Sequence, residues 1–200
     1  MNCIQTKVDE SGVATLVWDM PGRSQNVFSR ESLDDFSAAL SAVIANQDVV
    51  GIIIASAKKD FIAGADLEGL KAMAFGPRDP VELNASLGAL SELLRRMETC
   101  GKPVVAAIDG VCLGGGFELA VACHRRIVAD NTRIQMGFPE ATLGLLPGAG
   151  GTQRTPRMIG IQKSLPLLLE GKRLRPNDML KLGLIEEVVP QEQLLARAKA

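Results

Sequence analysis

The sequence predicts an α/β domain, and three observations lead to this prediction. Strand-like and helix-like segments alternate along the 200 residues, 46% of the residues are apolar, and two strand-like segments are almost entirely apolar. Such an alternation favours a sheet with helices packed against it. A chain of this size can bury about 70% of the surface that it exposes when unfolded. We therefore expect residues 1–200 to form one α/β domain with a full core.

Each element is predicted from the period of its apolar residues. Gly12 marks a turn between two strand-like segments, and Ser29 or Ser32 can cap the first helix. A stripe from Leu83 to Met97 suits a long helix. In chain order we predict strands at 4–8 and 13–18, a helix over 33–44, a strand buried on both faces at 49–55, an amphipathic stretch from 67, a helix over 81–98, a strand at 103–108, a buried helix from 117, a strand at 126–129, helices over 161–170 and 177–182, a strand at 185–189 and a helix from 191.

The composition argues against several classes of function. The net charge is -1, and the chain has no basic stripe with interleaved aromatic residues, so we expect no nucleic-acid partner. No apolar run approaches the roughly 20 residues of a membrane span, and the N-terminus lacks the apolar stretch of a signal peptide. Four cysteines without CxxC spacing favour reduced thiols in a cytoplasmic protein. The single histidine, His124, argues against a zinc site or a Ser–His–Asp triad and is interpreted as structural.

A glycine loop that leads into an apolar run with one carboxylate is the strongest functional signal. Gly114, Gly115 and Gly116 let the backbone approach a ligand closely, because no Cβ atoms intervene. The free N–H groups of a helix that begins there can hold a developing oxyanion, and Glu118 is a candidate for proton transfer. Close helix–strand packing is the structural alternative. A phosphate site is disfavoured, since neither GxGxxG nor GxxxxGK[ST] occurs.

A second glycine-containing segment follows the strand at 49–55. Ala63, Gly64 and Ala65 are small enough to leave their backbone N–H groups open to a ligand, and Asp66 can cap the following helix. A plain turn from strand to helix is the alternative interpretation.

A second isolated acid lies in a third segment, the glycine-rich stretch at 136–152. Glu140 is the only charged residue between Arg133 and Arg154, and it follows Pro139. It is either a solvated loop acid or the partner of Glu118 in a pair that divides the roles of acid and base. The basic residues that begin at Arg154 are interpreted as a solvated face, with ligand phosphates or an acidic partner as alternatives.

Together, these segments resemble the crotonase (enoyl-CoA hydratase/isomerase) superfamily. The matching motifs are FIAGADL at 61–67, GGGFELA at 114–120, PE at 139–140 and LLPGAGGTQR at 145–154. They occur in the order found in that superfamily. Within it, the chain is most similar to the N-terminal hydratase part of bacterial fatty-acid oxidation complex α-subunits. The resemblance implies a spiral of repeated ββα units that continues past residue 200, so we expect the domain to be truncated at its C-terminus.

The resemblance also implies roles for individual residues. The backbone N–H groups of Ala65 and Gly115 would form an oxyanion hole for a thioester carbonyl, and Glu118 and Glu140 would hold and polarise a water molecule. Further substrate contacts are expected from residues beside these four, namely Ala63, Gly64, Asp66, Gly114 and Gly148.

The activity implied by the resemblance is the addition of water to trans-2-enoyl-CoA in fatty-acid β-oxidation. No metal and no separate cofactor are expected, because coenzyme A is part of the substrate. The expected partners are the acyl-CoA thioester, further copies of the chain (a trimer in stand-alone relatives) or a thiolase subunit. Two alternatives stay open: an enoyl-CoA delta-isomerase, and a catalytically silent module that binds acyl-CoA.

Overall fold

The computed structural model describes residues 2–76 and 79–200, without the side chains of residues 72–75 and 80–87. The predicted contributions of Leu83 and Leu87 to an apolar stripe lie outside the described residues. The strands are β1 (Ile4–Val8), β2 (Val13–Trp18), β3 (Gly51–Ser56), β4 (Val104–Ile108), β5 (Cys112–Leu113), β6 (Arg125–Ala129), β7 (Met136–Gly137), β8 (Arg173–Leu174) and β9 (Glu187–Val189). The helices are α1 (Arg30–Ala45), α2 (Leu67–Phe75), α3 (Pro80–Glu98), α4 (Gly115–Ala122), α5 (Gly151–Ile159), α6 (Ile161–Leu169), α7 (Pro176–Leu182) and α8 (Leu194–Lys199), with 3₁₀ helices at Pro139–Leu143 and Gln191–Gln193.

Two sheets organise the described part of the chain. The larger sheet has the order β1-β2-β3-β4-β6-β9, and every neighbouring pair except the β1–β2 hairpin is parallel. The smaller sheet has the order β5-β7-β8. Strands β4 and β6 of the larger sheet each lead into a short strand of the smaller one and then into helical structure. This repeated path is the ββα spiral that the resemblance implied.

The larger sheet follows from its sequence. In β3, residues 51–55 are all buried, as expected for a β-branched run between two layers. In β2, buried and half-buried residues alternate, so the strand presents one face fully to the core. The predicted cap of α1 is also present, since the Ser29 hydroxyl accepts the N–H of Ser32 at 3.3 Å. Leu94 and Met97 of α3 are fully buried, as the helical stripe predicts.

Helix α4 is anchored at its C-terminal end by a buried arginine. All eight residues of α4 are buried. The Arg126 guanidinium donates from Nη1 to the carbonyl oxygen of Cys123 at 2.6 Å, and it forms an ion pair with Glu186. Glu186 also accepts the Arg126 N–H at 2.6 Å. Because a cation at a helix C-terminus satisfies free carbonyl groups, this pair fixes α4 against β6.

The variant Arg126→Met tests this anchor. Removing one partner of a buried ion pair leaves an unpaired charge and free carbonyl groups, so we expect the free energy of unfolding to fall by about 3 kcal/mol. Urea denaturation measures the change. The exposed neighbour Arg125→Met is the matched control and should stay within about 0.5 kcal/mol of the wild type. Equal losses in the two variants would show that burial of Arg126 adds nothing.

Candidate active site

The loop before α2 and the glycine loop before α4 lie in direct contact. Ile62 pairs with Cys112 in an isolated parallel bridge, and the Leu113 N–H donates to the Ile62 carbonyl oxygen at 3.1 Å. A Cβ atom on Gly116 would lie only 2.2 Å from the same oxygen. Glycine at position 116 therefore lets α4 begin directly against the loop that carries Ala65.

Two backbone N–H groups, those of Ala65 and Gly115, border this junction. The bridge between Phe28 and Ala65 uses the peptides on either side of Ala65, because the Phe28 N–H donates to Gly64 and the Asp66 N–H donates to Phe28. This pattern turns the Ala65 N–H away from Phe28. Gly115 is the first residue of α4, so its N–H has no partner within the helix. The two N–H groups that the resemblance named thus belong to loops that are in direct contact, and their use as an oxyanion hole stays a prediction.

Glu118 is buried in the first turn of α4 and is held by the turn that precedes α5. Its Oε1 accepts the N–H of Ala149 at 2.7 Å and the N–H of Gly151 at 2.8 Å. The side chain is only 3% exposed. Burial raises the pKa of Glu118, while the two N–H donors and the nearby Arg154 oppose that rise. The hydrogen bonds supply the compensation that a buried carboxylate requires.

Glu140 lies beside the glycine loop, in the 3₁₀ helix Pro139–Leu143. Its Oε1 is 2.8 Å from the point that a Cβ on Gly114 would occupy, so the carboxyl group reaches the start of α4. Its Oε2 is buried without a hydrogen-bond partner among the described residues. Burial raises the pKa of Glu140 to about 7, and the charge of Glu118 adds to the rise. Glu140 is therefore suited to give or take a proton near neutral pH.

An aromatic pair joins the two segments that carry the acids. The Phe117 and Phe138 rings lie with their centroids 4.9 Å apart, and both side chains are fully buried. Phe117 precedes Glu118 in α4, and Phe138 is two residues before Glu140. Packing between these rings fixes the relative positions of the two segments that carry the carboxyl groups.

The remaining predicted contacts surround this centre in different ways. The Ala63 N–H is already used, since it donates to Asn26 at 2.9 Å. Gly64 has a φ of 113°, which favours glycine. Asp66 directly precedes α2 and forms an ion pair with Arg23 at 3.2 Å. Gly148 is exposed, with open space around it.

Arg154 corrects the interpretation of the basic residues as a solvated face. Its side chain is only 13% exposed and forms an ion pair with Glu98 at 3.1 Å. It also donates to the carbonyl oxygen of Ala149 at 2.9 Å, and the N–H of the same residue binds Glu118. A run of charges along the sequence does not reveal which member is buried. The place of Arg154 at the end of the LLPGAGGTQR motif was the available signal.

A profile of the enoyl-CoA hydratase/isomerase family matches residues 9–200. The chain belongs to this family. It is 45% identical over 190 residues to the fatty acid oxidation complex subunit alpha of Shewanella loihica, covering 94% of this chain and 26% of that protein. The chain thus spans about a quarter of the length of the curated relatives that it matches.

Solved structures agree with the family assignment. The chain superimposes on an enoyl-CoA hydratase of Geobacillus kaustophilus with a TM-score of 0.90 and 28% identity, covering 100% of this chain and 72% of that one. The enoyl-CoA hydratase of Bacillus anthracis gives a TM-score of 0.88 and 30% identity, with coverage of 99% and 74%. These similarities confirm the predicted crotonase fold.

Other kinds of site find no support among residues 2–76 and 79–200 of this family member. That part of the chain contains no group of three or more His, Cys, Asp or Glu side chains placed to bind a metal ion. None of its helices has the length and apolar character needed to cross a membrane. His124 has the structural role that was predicted, because its Nδ1 accepts the Val104 N–H at 3.0 Å.

The raised pKa of Glu140 predicts a pH-dependent stability. The pKa of Glu140 is about 7 in the folded protein and 4.5 in the unfolded chain. Between these two pH values the folded protein binds more protons than the unfolded chain, so the free energy of unfolding falls as pH rises. Glu140→Gln removes this contribution. We expect the variant to gain on the order of 1 kcal/mol relative to the wild type between pH 4.5 and pH 7, since solvent partly screens the carboxyl group.

Urea denaturation at several pH values measures this difference. The variant Glu170→Gln, which changes an exposed acid, is the control and should keep the pH dependence of the wild type. A stability difference between Glu140→Gln and wild type that does not change with pH would contradict a raised pKa at Glu140.

Proposed function

We propose that the chain adds water to trans-2-enoyl-CoA thioesters to give 3-hydroxyacyl-CoA. One observation carries the proposal: the buried carboxyl group of Glu118 and the half-buried carboxyl group of Glu140 both lie at the N-terminal end of α4. Hydration of an enoyl thioester needs stabilisation of an oxyanion together with a base and an acid. Membership of the enoyl-CoA hydratase/isomerase family supports this assignment.

The oxyanion hole would polarise the substrate. The thioester carbonyl oxygen accepts hydrogen bonds from the N–H groups of Ala65 and Gly115, and electron density moves onto it as water attacks C3. Donors that are fixed in advance stabilise this enolate-like charge without reorganisation, and loss of one such donor typically costs about 3 kcal/mol. The positive end of α4 adds to the stabilisation.

The two glutamates would divide the proton transfers. Glu118 accepts a proton from the water molecule, whose oxygen forms the new bond to C3, and Glu140 donates a proton to C2 on the same face. Return of a proton from Glu118 to Glu140 restores the starting state. The different surroundings support this division, because Glu118 accepts two N–H groups, whereas Oε2 of Glu140 has no hydrogen-bond partner in the part of the chain that the structure describes.

The relatives support a wider setting for this activity. The curated relatives are named as alpha subunits of fatty acid oxidation complexes. We infer that the chain acts as the hydratase part of a longer β-oxidation protein in the cytoplasm, alongside a thiolase subunit or further copies of itself. Coenzyme A enters as part of the substrate, and the chemistry of the two acids needs no metal or separate cofactor.

Isomerisation is the second candidate activity. The unpartnered Oε2 of Glu140 could move a proton between C2 and C4 of a 3-enoyl-CoA without help from a water molecule. The presence of a second acid, Glu118, favours hydration. An assay with a 3-enoyl-CoA substrate separates the two activities, because only an isomerase produces the conjugated thioester from it.

Loss of the ultraviolet absorbance of crotonyl-CoA tests the proposal. We expect the wild type to remove the conjugated enoyl thioester, and Glu140→Gln and Glu118→Gln each to reduce kcat by about 10²–10⁴-fold, as for loss of a general acid or base. Glu170→Gln serves as the control. Activity in Glu140→Gln close to that of the wild type would overturn its role. An inactive wild type, both as this chain and extended past Ala200, would overturn hydration.

A further inference from the structure

An ion pair that the proposed reaction does not use lies next to the turn that binds Glu118. The guanidinium of Arg154 donates from Nε to Glu98 Oε1 at 3.1 Å and from Nη2 to Glu98 Oε2 at 3.2 Å. This bidentate geometry fixes the plane of the guanidinium. The Arg154 side chain is mostly buried, so water competes little for it. The pair joins the C-terminal end of α3 to α5.

The third nitrogen of the guanidinium holds the turn that binds Glu118. Nη1 of Arg154 donates to the carbonyl oxygen of Ala149 at 2.9 Å, which fixes the peptide between Ala149 and Gly150. The two N–H groups that hold Glu118, those of Ala149 and Gly151, lie on either side of this peptide. Gly150 has a φ of 102°, so the turn has a shape that favours glycine. The orientation of both donors therefore depends on a contact made by Arg154.

Electrostatics couples the same three side chains. Arg154 lowers the pKa of Glu118 against the effect of burial, whereas Glu118 raises the pKa of Glu140. Two other elements pack against α4. Strand β5 carries Cys112, whose thiol has a pKa well above its ordinary value, and β6 carries Arg126, which is paired with Glu186. Arg154 is therefore the cation through which the ionised state of Glu118 is favoured.

We propose that Arg154, oriented by Glu98, is a positioning residue for the water-activating carboxylate. It fixes the turn at residues 149–151, so that both N–H groups bind Oε1 of Glu118 and Oε2 stays available to the water molecule. This inference rests on the proposed hydration. In this role Arg154 acts through the turn and does not contact the substrate.

The variant Arg154→Met removes the charge and the contact with Ala149. Misplacement of a supported catalytic group typically costs 10- to 100-fold, so we expect kcat for crotonyl-CoA to fall by about that factor while KM stays within about twofold. The acid limb of the kcat–pH profile should move to higher pH, because Glu118 loses its neighbouring cation. Arg154→Lys keeps the charge and should recover part of the lost kcat, and Glu98→Gln should show a weaker form of the same change.

Arg157→Met is the matched control. Arg157 lies one turn further along α5, where it is bonded only to Gln153 in the contacts described, and its loss should leave kcat and the pH profile unchanged. The double variant Glu118→Gln/Arg154→Met gives a second test, since Arg154 acts through Glu118. Its kcat should lie close to that of Glu118→Gln alone. Effects that multiply, or a change confined to KM, would overturn the inference.

A readout without turnover separates this inference from the proposed function. The Glu118 carboxyl carbon can be followed by ¹³C NMR in protein labelled at glutamate and assigned with Glu118→Gln. We expect its titration to move to higher pH in Arg154→Met and to stay unchanged in Arg157→Met. If the wild type has no hydratase activity but the titration of Glu118 still moves in Arg154→Met, hydration is overturned and the effect of Arg154 on Glu118 is retained. An active wild type without the shift would overturn the positioning role alone.

Discussion

The approach of α4 to the loop at Ile62 is the contact on which the site depends. No side chain fits where Gly116 faces the Ile62 carbonyl oxygen, so the helix begins in direct contact with the loop that leads to Ala65. This contact brings the loop that carries Ala65 next to the first turn of α4. Burial of all of α4 and the anchor at Arg126 prevent the helix from moving away. The proposed oxyanion hole would thus be a product of backbone packing, with little contribution from side chains.

The same burial that builds the core also prepares the chemistry. It raises the pKa of both Glu118 and Glu140, because the charged form of each is removed from water. Their different hydrogen bonds then separate them. Two N–H donors and Arg154 favour ionised Glu118, whereas the free oxygen of Glu140 leaves it ready to hold a proton. A pair of identical side chains can therefore perform opposite roles.

The sequence predicted the long elements and the two acids, but missed the shortest strands. β3 was evident from its apolar run, and an isolated acid in apolar surroundings marked Glu118 and Glu140. Strands β5, β7 and β8 have two residues each, too few to show a period. Helix α5 was also missed, because it begins with Gly151 and contains Pro156, and both residues disfavour a helix locally. Burial of Arg154 depends on α3, which is distant in sequence and contributes Glu98.

Glu118 also supports the N-terminal end of α5, although it belongs to another helix. Its carboxylate accepts a hydrogen bond from the N–H of Gly151, the first residue of α5, because Gly150 at the cap position has no side chain to do so. Loss of the carboxylate therefore removes the proposed proton acceptor and the end support of a helix together. A glutamine oxygen can accept the same two N–H groups, whereas alanine cannot. The melting temperatures of Glu118→Gln and Glu118→Ala should differ accordingly, which separates chemical from structural loss at one position.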